Sequence, residues 1–414
     1  MDGDVGFNKL YYWLHSADPD TTTVIGGSAT PGLSLNELVE LSKSPESTQA
    51  AFQFNDIKFN LGSAQGNPKL RETIAATYTH ELSHLSPAEV IVTNGTTGAN
   101  HIVHQSFLKP GDHIICQYPI YGPCIEEPEH IGCDISYIHL DPENNWHLDL
   151  KQLEALMRPG KTKLIMLNNP VNPTGTHFST EVQEDLIKLC KKNDVVLHCD
   201  EIFHPLFHTS DVPNSFIERH DLDYEKVVVT SSLSKSYGLS GVRIGWIATR
   251  SAHLRKAFMS YRVMSCSSVS LIDEAIATEA LSPRCRSGIL DKHLALARKN
   301  ISLIQAFVDK HKDSCDWVPP TAGAVGFVRF KDPHTGAAVD DVEFCKQLFE
   351  SRNVLLAPAT LCFEFGELKD AFRGRVRMHF TTTTGNLQKG LQLLDEFLEE
   401  TEREATNANG HAKL

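Results

Sequence analysis

The sequence predicts an α/β fold: a large domain on a mostly parallel sheet covered by helices, joined to a smaller α+β domain. Three observations lead there. From about Glu89 to Arg250, short apolar or β-branched runs alternate with helical patterns. Those runs are continuous in apolar character, which marks strands buried on both faces. After about Leu290 the chain changes to one long helical stretch followed by short mixed elements, as expected of a second unit.

The candidate strands of the first region are residues 89–93, 113–117, 163–167, 194–199, 226–230 and 243–248, with helices over 97–108 and 180–192 among them. The second region reads as a helix over 290–311, then short elements at 323–330, 342–351, 354–356 and 375–380. These divisions predict a large domain of residues 59–290, a small domain of 1–58 together with 291–400, and a polar tail of 401–414.

Bulk properties narrow the function. A chain of 414 residues with 41% hydrophobic and 22% charged residues is an ordinary folded protein with room for a large core. Its net charge of −13 argues against a nucleic-acid surface, and the residues before Phe59 show no basic helix-turn-helix pattern. No run approaches the roughly 18 apolar residues of a membrane span, and Met1-Asp2-Gly3-Asp4 is not a secretory start. The ten cysteines form no C-x-x-C pair, which suits reduced thiols inside a cell. The end, Ala412-Lys413-Leu414, is a variant of the S-K-L address, so the expected location is cytoplasmic or peroxisomal.

Ligands of an open parallel sheet gather beyond the carboxyl ends of its strands. After 89–93 comes Asn94-Gly95-Thr96-Thr97-Gly98, a helix start that suits an anion, although turn chemistry explains such a loop as well. After 113–117, Tyr118-Pro119-Ile120-Tyr121-Gly122 presents an aromatic ring either to a flat heterocycle or to the core. After 163–167, Asn168-Asn169-Pro170-Val171-Asn172-Pro173-Thr174-Gly175 holds two Asn-Pro steps, a rigid turn able to fix an amide donor. Asp200-Glu201 then places a carboxylate at the sheet's edge, as a helix cap or as the partner of a cation. Last, Ser232-Leu233-Ser234-Lys235 leads to Gly241-Val242-Arg243-Ile244-Gly245, pairing an amine with an arginine eight positions on. A lysine amine, with a reference pKa near 10.4, becomes a useful nucleophile once desolvation or a neighbouring cation lowers that value.

Taken in order, Asn-Pro-x-Asn-Pro-Thr-Gly, Asp-Glu about thirty residues later, Ser-x-x-Lys and Gly-x-Arg-x-Gly resemble the class I/II aminotransferases of pyridoxal-phosphate fold type I. The resemblance runs from about Phe59 to Phe380 and implies a sheet of the seven-stranded type. It also implies that pyridoxal 5'-phosphate is held by Lys235 as a Schiff base, and that Lys235 afterwards moves the substrate's α-proton. On the same footing Asp200 pairs with the ring nitrogen, Asn172 with the ring hydroxyl, and Tyr121 covers the ring face, while Gly95, Thr96, Thr97, Ser232 and Arg243 hold the phosphate. Arg377, with Arg375 as the alternative, grips the substrate carboxylate. The implied substrates are an amino acid and a keto acid, and the implied assembly is a homodimer with shared active sites, crossed by residues 59–71.

Three departures from the family pattern bear on the reaction. Phe203 stands by the cofactor where a hydrogen-bonding Tyr is usual, Leu61 replaces another Tyr, and Pro358-Ala359 replaces Pro-Gly. Phe203 cannot donate to the ring hydroxyl. Beside transamination, the sequence therefore admits a lyase, cyclase or oxidase of specialised metabolism. His198, His204 and His208 lack the companions of a zinc site, and no metal is expected.

Overall fold

The structure, a computed structural model, describes residues 8–18, 20–79, 84–219, 222–365 and 370–411. Ala412-Lys413-Leu414 and Met1-Asp2-Gly3-Asp4 lie outside the described residues. In chain order the strands are Thr23–Val24 (β1), Val90–Thr93 (β2), His113–Tyr118 (β3), Asp134–His139 (β4), Thr162–Asn168 (β5), Val196–Asp200 (β6), Val227–Ser232 (β7) and Gly245–Thr249 (β8). Then follow Cys315–Trp317 (β9), Val325–Phe330 (β10), Val354–Leu355 (β11), Ala357–Pro358 (β12) and Arg375–His379 (β13).

Packing divides the chain into two units, one of Ala29–Ala295 with Thr321–Ala324, the other of Met1–Ser28, Leu296–Pro320 and Val325–Leu414. This moves the expected boundaries. Residues 29–58 join the larger unit because polar contacts tie them to its interior: Lys43 N–H donates to the Arg284 carbonyl at 2.8 Å, and Thr48 Oγ1 to Glu279 Oε1 at 2.6 Å. Residues 321–324 join it because the N–H groups of Thr321 and Ala322 both donate to the Gly175 carbonyl. Nor do residues 401–411 form a separate tail, since the helix Thr384–His411 includes them.

In the larger unit the seven strands lie in the order β2-β8-β7-β6-β5-β3-β4, with β8 alone running against the others. The mostly parallel sheet expected from continuous apolar runs is present. β2, β3, β6, β7 and β8 are buried along their whole length. The strand absent from the sequence-based set is β4, Asp-Ile-Ser-Tyr-Ile-His, an edge strand with only Ile138 fully buried. Its polarity alternates, so it lacks the signature of a strand covered on both faces. Helices close the faces. Thr180–Asn193 begins on the Ser179 hydroxyl, turns Leu186, Ile187 and Cys190 inward, and ends at Asp194 in the left-handed conformation with φ 56°.

In the smaller unit, β12, β13, β10 and β9 form an antiparallel sheet and β1 pairs with β11. A carboxylate braces this sheet: Asp341 Oδ2 accepts from the Thr360 N–H and hydroxyl, both at 2.9 Å, and Oδ1 from the Gly374 N–H at 3.2 Å. Among the described residues no helix is long and apolar enough to cross a membrane.

Candidate active site

Register sets the site. Asp200, the last residue of β6, pairs with Asn168 at the end of β5 and with Thr230 near the end of β7. Because β8 is reversed, its first residue, Gly245, pairs with Ser232 at the end of β7 and with Thr93 at the end of β2. One edge of the sheet therefore gathers the segments after β2, β3, β5, β6 and β7 and the segment before β8.

The chain leaving β2 passes straight into the helix Gly95–Phe107, whose N-cap residue, Asn94, makes no side-chain cap. Its first N–H groups are a natural setting for an anion. Gly95 has φ +69°, and a Cβ there would meet Arg243 Nη2 at 2.5 Å; a Cβ on Gly245 would lie 2.4 Å from the Gly95 carbonyl carbon. Two glycines thus let the helix start, strand β8 and a guanidinium crowd together. Arg243 donates to the Ser240 carbonyl at 2.8 Å and to Ser234 Oγ at 3.4 Å. Thr96 Oγ1 is buried with no hydrogen-bond partner among the described residues, and Thr97 is exposed. Ser232 is fully buried, and its Oγ accepts from the Ser234 N–H. This cradle fits a phosphate group.

The Asn-rich turn after β5 is folded by its own amides. Asn168 Oδ1 accepts from the Asn172 N–H at 2.7 Å, Asn168 Nδ2 donates to the Asp200 carbonyl at 2.8 Å, and Asn169 Oδ1 accepts from the Phe178 N–H at 2.9 Å. Asn172 is held there, buried. Asp200, 3% exposed, accepts from Asn100 Nδ2 at 2.9 Å and from the Ile202 N–H at 3.0 Å. Burial pushes its carboxyl up to about 6, against the lowering effect of Asn100, the Ile202 N–H and the charge of Lys235. Glu201 is raised further by burial, to about 8, and braces the chain that follows: it accepts from the Ser215 hydroxyl at 2.5 Å and the Phe216 N–H at 2.9 Å.

Lys235 is half-buried beyond β7, and its carbonyl accepts from Thr30 Oγ1 at 2.7 Å. Tyr121, half-buried, follows β3. Phe203 is 1% exposed and packs against Gly323, where a Cβ would stand 3.6 Å from Phe203 Cγ. The larger unit thus brings to one sheet edge every residue predicted to bind the cofactor. Arg377 belongs to the smaller unit, on β13, where Nε and Nη2 donate to the Gly26 carbonyl at 3.1 and 2.8 Å and the guanidinium stands 5.3 Å above the Phe363 ring. Arg375 lies two residues earlier and is also buried. Among the described residues no group of three or more His, Cys, Asp or Glu side chains is placed to hold a metal ion.

With that geometry in place, residues 32–394 match the family model for aminotransferase class I and II. The chain belongs to that family. The aspartate aminotransferase of Thermotoga maritima is 26% identical over 353 residues, covering 84% of this chain and 85% of that protein. Capreomycidine synthase of Streptomyces vinaceus is 26% identical over 386 residues, covering 93% and 92%. A crystal structure of a PLP-dependent aminotransferase from Streptococcus suis superposes with a TM-score of 0.83 at 28% identity, covering 95% of this chain and 97% of that one. This aminotransferase-family chain shares the α/β architecture of that structure.

Two outcomes are expected. Gly245→Ala forces the Gly95 loop away and should weaken pyridoxal 5'-phosphate binding about tenfold or more in a fluorescence titration of the cofactor-free protein; unchanged affinity would remove the loop from the cradle. The raised Asp200 carboxyl binds its proton more tightly folded than unfolded. Its contribution to stability is therefore complete below about pH 4 and is lost as the pH rises through about 6, an effect of about 3 kcal/mol. Asp200→Asn should flatten that part of the stability profile in urea unfolding of the cofactor-free protein.

Proposed function

We propose that this enzyme uses pyridoxal 5'-phosphate, linked covalently to Lys235, to move the amino group of an amino acid to a keto acid. The observation that carries the reading is the gathering of Lys235, Asp200, Asn172 and the Gly95–Arg243 cradle at one edge of one sheet. When bound, the cofactor supplies an electron sink for the bond broken at the substrate's α-carbon.

The chain's own residues do the rest. Arg243, the Thr96 and Ser232 hydroxyls and the helix start hold the phosphate. Asp200, ionised, would keep a proton on the ring nitrogen, and Asn172 would donate to the ring hydroxyl. Lys235 Nζ would hold the cofactor covalently and, when free, would be the base that takes and returns the substrate's α-proton. Arg377 takes the substrate carboxylate, with Arg375 as the alternative.

Phe203 supports a second reading. It removes a phenolic donor to the ring hydroxyl, and capreomycidine synthase, a relative in name a synthase, matches this chain nearly end to end. Elimination, cyclisation, or oxidation with oxygen as the electron acceptor, would start from the same α-proton removal.

The proposed assembly is a homodimer. Phe59 is 81% exposed, Leu61 80% and Met264 79%, all in the larger unit. Such apolar side chains suit a covered interface, and residues 59–71 are the segment that crosses in the family.

In purified protein, Lys235→Ala should abolish the visible absorbance of the bound cofactor and its capture by borohydride; a reducible lysine linkage that persists would sink the assignment. Amino acids supplied without oxygen should convert the cofactor to its pyridoxamine form, whereas ammonia, peroxide or a cyclised product transfers support to the second reading. Sedimentation should show a dimer that Phe59→Asp with Leu61→Asp shifts toward monomer; a wild-type monomer at micromolar concentration refutes the assembly.

A further inference from the structure

Alternation along β6 turns His198 and Asp200 to the same face, and helical spacing puts Asn100 and His104 on one face of Gly95–Phe107. The two faces meet. Asn100 Nδ2 donates to Asp200 Oδ2 at 2.9 Å, Thr230 Oγ1 donates to Asn100 Oδ1 at 2.6 Å, and His198 Nε2 lies 3.2 Å from Thr230 Oγ1. Thr230 and His198 are wholly buried, and Asn100 is 6% exposed. Beyond His198 stands His104, with ring centroids 5.4 Å apart and planes at 68°, and His104 Nδ1 is 3.0 Å from Glu127 Oε2.

This chain of hydrogen bonds has a direction. An ionised carboxylate only accepts, so Asn100 turns its nitrogen to Asp200 and its carbonyl to Thr230. Threonine owns one hydroxyl proton, and that carbonyl takes it. His198 Nε2 must then donate, which fixes the neutral ring as the Nε2–H tautomer. Burial, with the nearby His104, holds His198 well below the ordinary imidazole range, so the ring is neutral. A proton on Asp200 Oδ2 reverses every member: the amide flips, the hydroxyl turns to His198, and the imidazole proton moves to Nδ1. His198 Nδ1 is buried without a hydrogen-bond partner among the described residues. The reversed chain therefore strands a buried N–H, which is costly.

We propose that Asn100, Thr230 and His198 are positioning residues whose one-way hydrogen-bond chain holds Asp200 in its ionised form. The proposal rests on the reading of Asp200 as the partner of the cofactor's ring nitrogen. Other groups act on the same carboxylate: the Lys235 charge favours the anion, while Glu201, Cys124 and Cys199 lie within electrostatic reach of it. The hydrogen-bond chain differs from these in that it acts through the tautomer of a ring that never needs to charge.

The test uses the cofactor-loaded protein with 15N-labelled histidine. Wild-type His198 should give the signals of an Nε2–H, Nδ1-unprotonated ring. Thr230→Val keeps the side-chain shape and removes the hydroxyl; it should disturb that tautomer signature and raise the dissociation constant of pyridoxal 5'-phosphate about fivefold to tenfold. Thr230→Ser should restore both. An Nδ1–H tautomer in the wild type overturns the proposal, and that measurement stands even if Thr230→Val does not fold. Wild-type affinity and histidine signals in Thr230→Val overturn it as well. Asp200→Ala separates the two levels: weaker cofactor binding there with none in Thr230→Val defeats the hydrogen-bond chain alone, whereas unchanged binding and absorbance in Asp200→Ala defeat the reading of Asp200 and the chain with it.

Discussion

A carboxylate at the dry centre of a sheet edge is expensive unless donors surround it. Asp200 meets that condition through Asn100, the Ile202 N–H and the register that sets it between Asn168 and Thr230. The neighbouring features are arranged around this one group. Asn168 clips the Asp200 backbone while holding Asn172, Glu201 pins Ser215 and Phe216, and the helix that supplies Asn100 also begins at the proposed phosphate cradle. The contact to the proposed ring-nitrogen partner and the proposed anion site are thus less than about two turns apart on one helix.

That arrangement explains why so much of the site was legible in the sequence. Loops at strand exits must spend unusual residues to make sharp turns and expose polar groups, and they do so in consecutive positions: Gly95-Thr96-Thr97, the doubled Asn-Pro steps, Lys235 with Arg243. Continuous apolar runs likewise disclosed the buried strands. The supporting shell left no such trace. Asn100 meets Asp200 across 100 positions and Thr230 across 130, and each sits inside a regular element where no turn or spacing singles it out. A strand with His-x-Asp and a helix with Asn-x-x-x-His carried the pattern, but only the packing of one on the other gives it meaning.

The boundaries were less legible for a related reason. Residues 29–58 are joined to the larger unit by contacts such as Thr48 with Glu279, over two hundred positions away, and the short segment 321–324 by hydrogen bonds to Gly175 and Leu206. Composition does not register such ties. β4 escaped notice because an edge strand has one wet side and reads like an ordinary surface loop.

The reversed strand also decides which parts of the site are covalently close. Because β8 returns beside β7, Lys235 and Arg243 ride on one short connection between adjacent, opposed strands, and Gly245 closes it against the Gly95 loop. The proposed covalent capture and phosphate retention would therefore share a single cassette. Phe203 lies outside that connection, so a side chain there can change without altering the Lys235–Arg243 spacing or the Gly245–Gly95 approach.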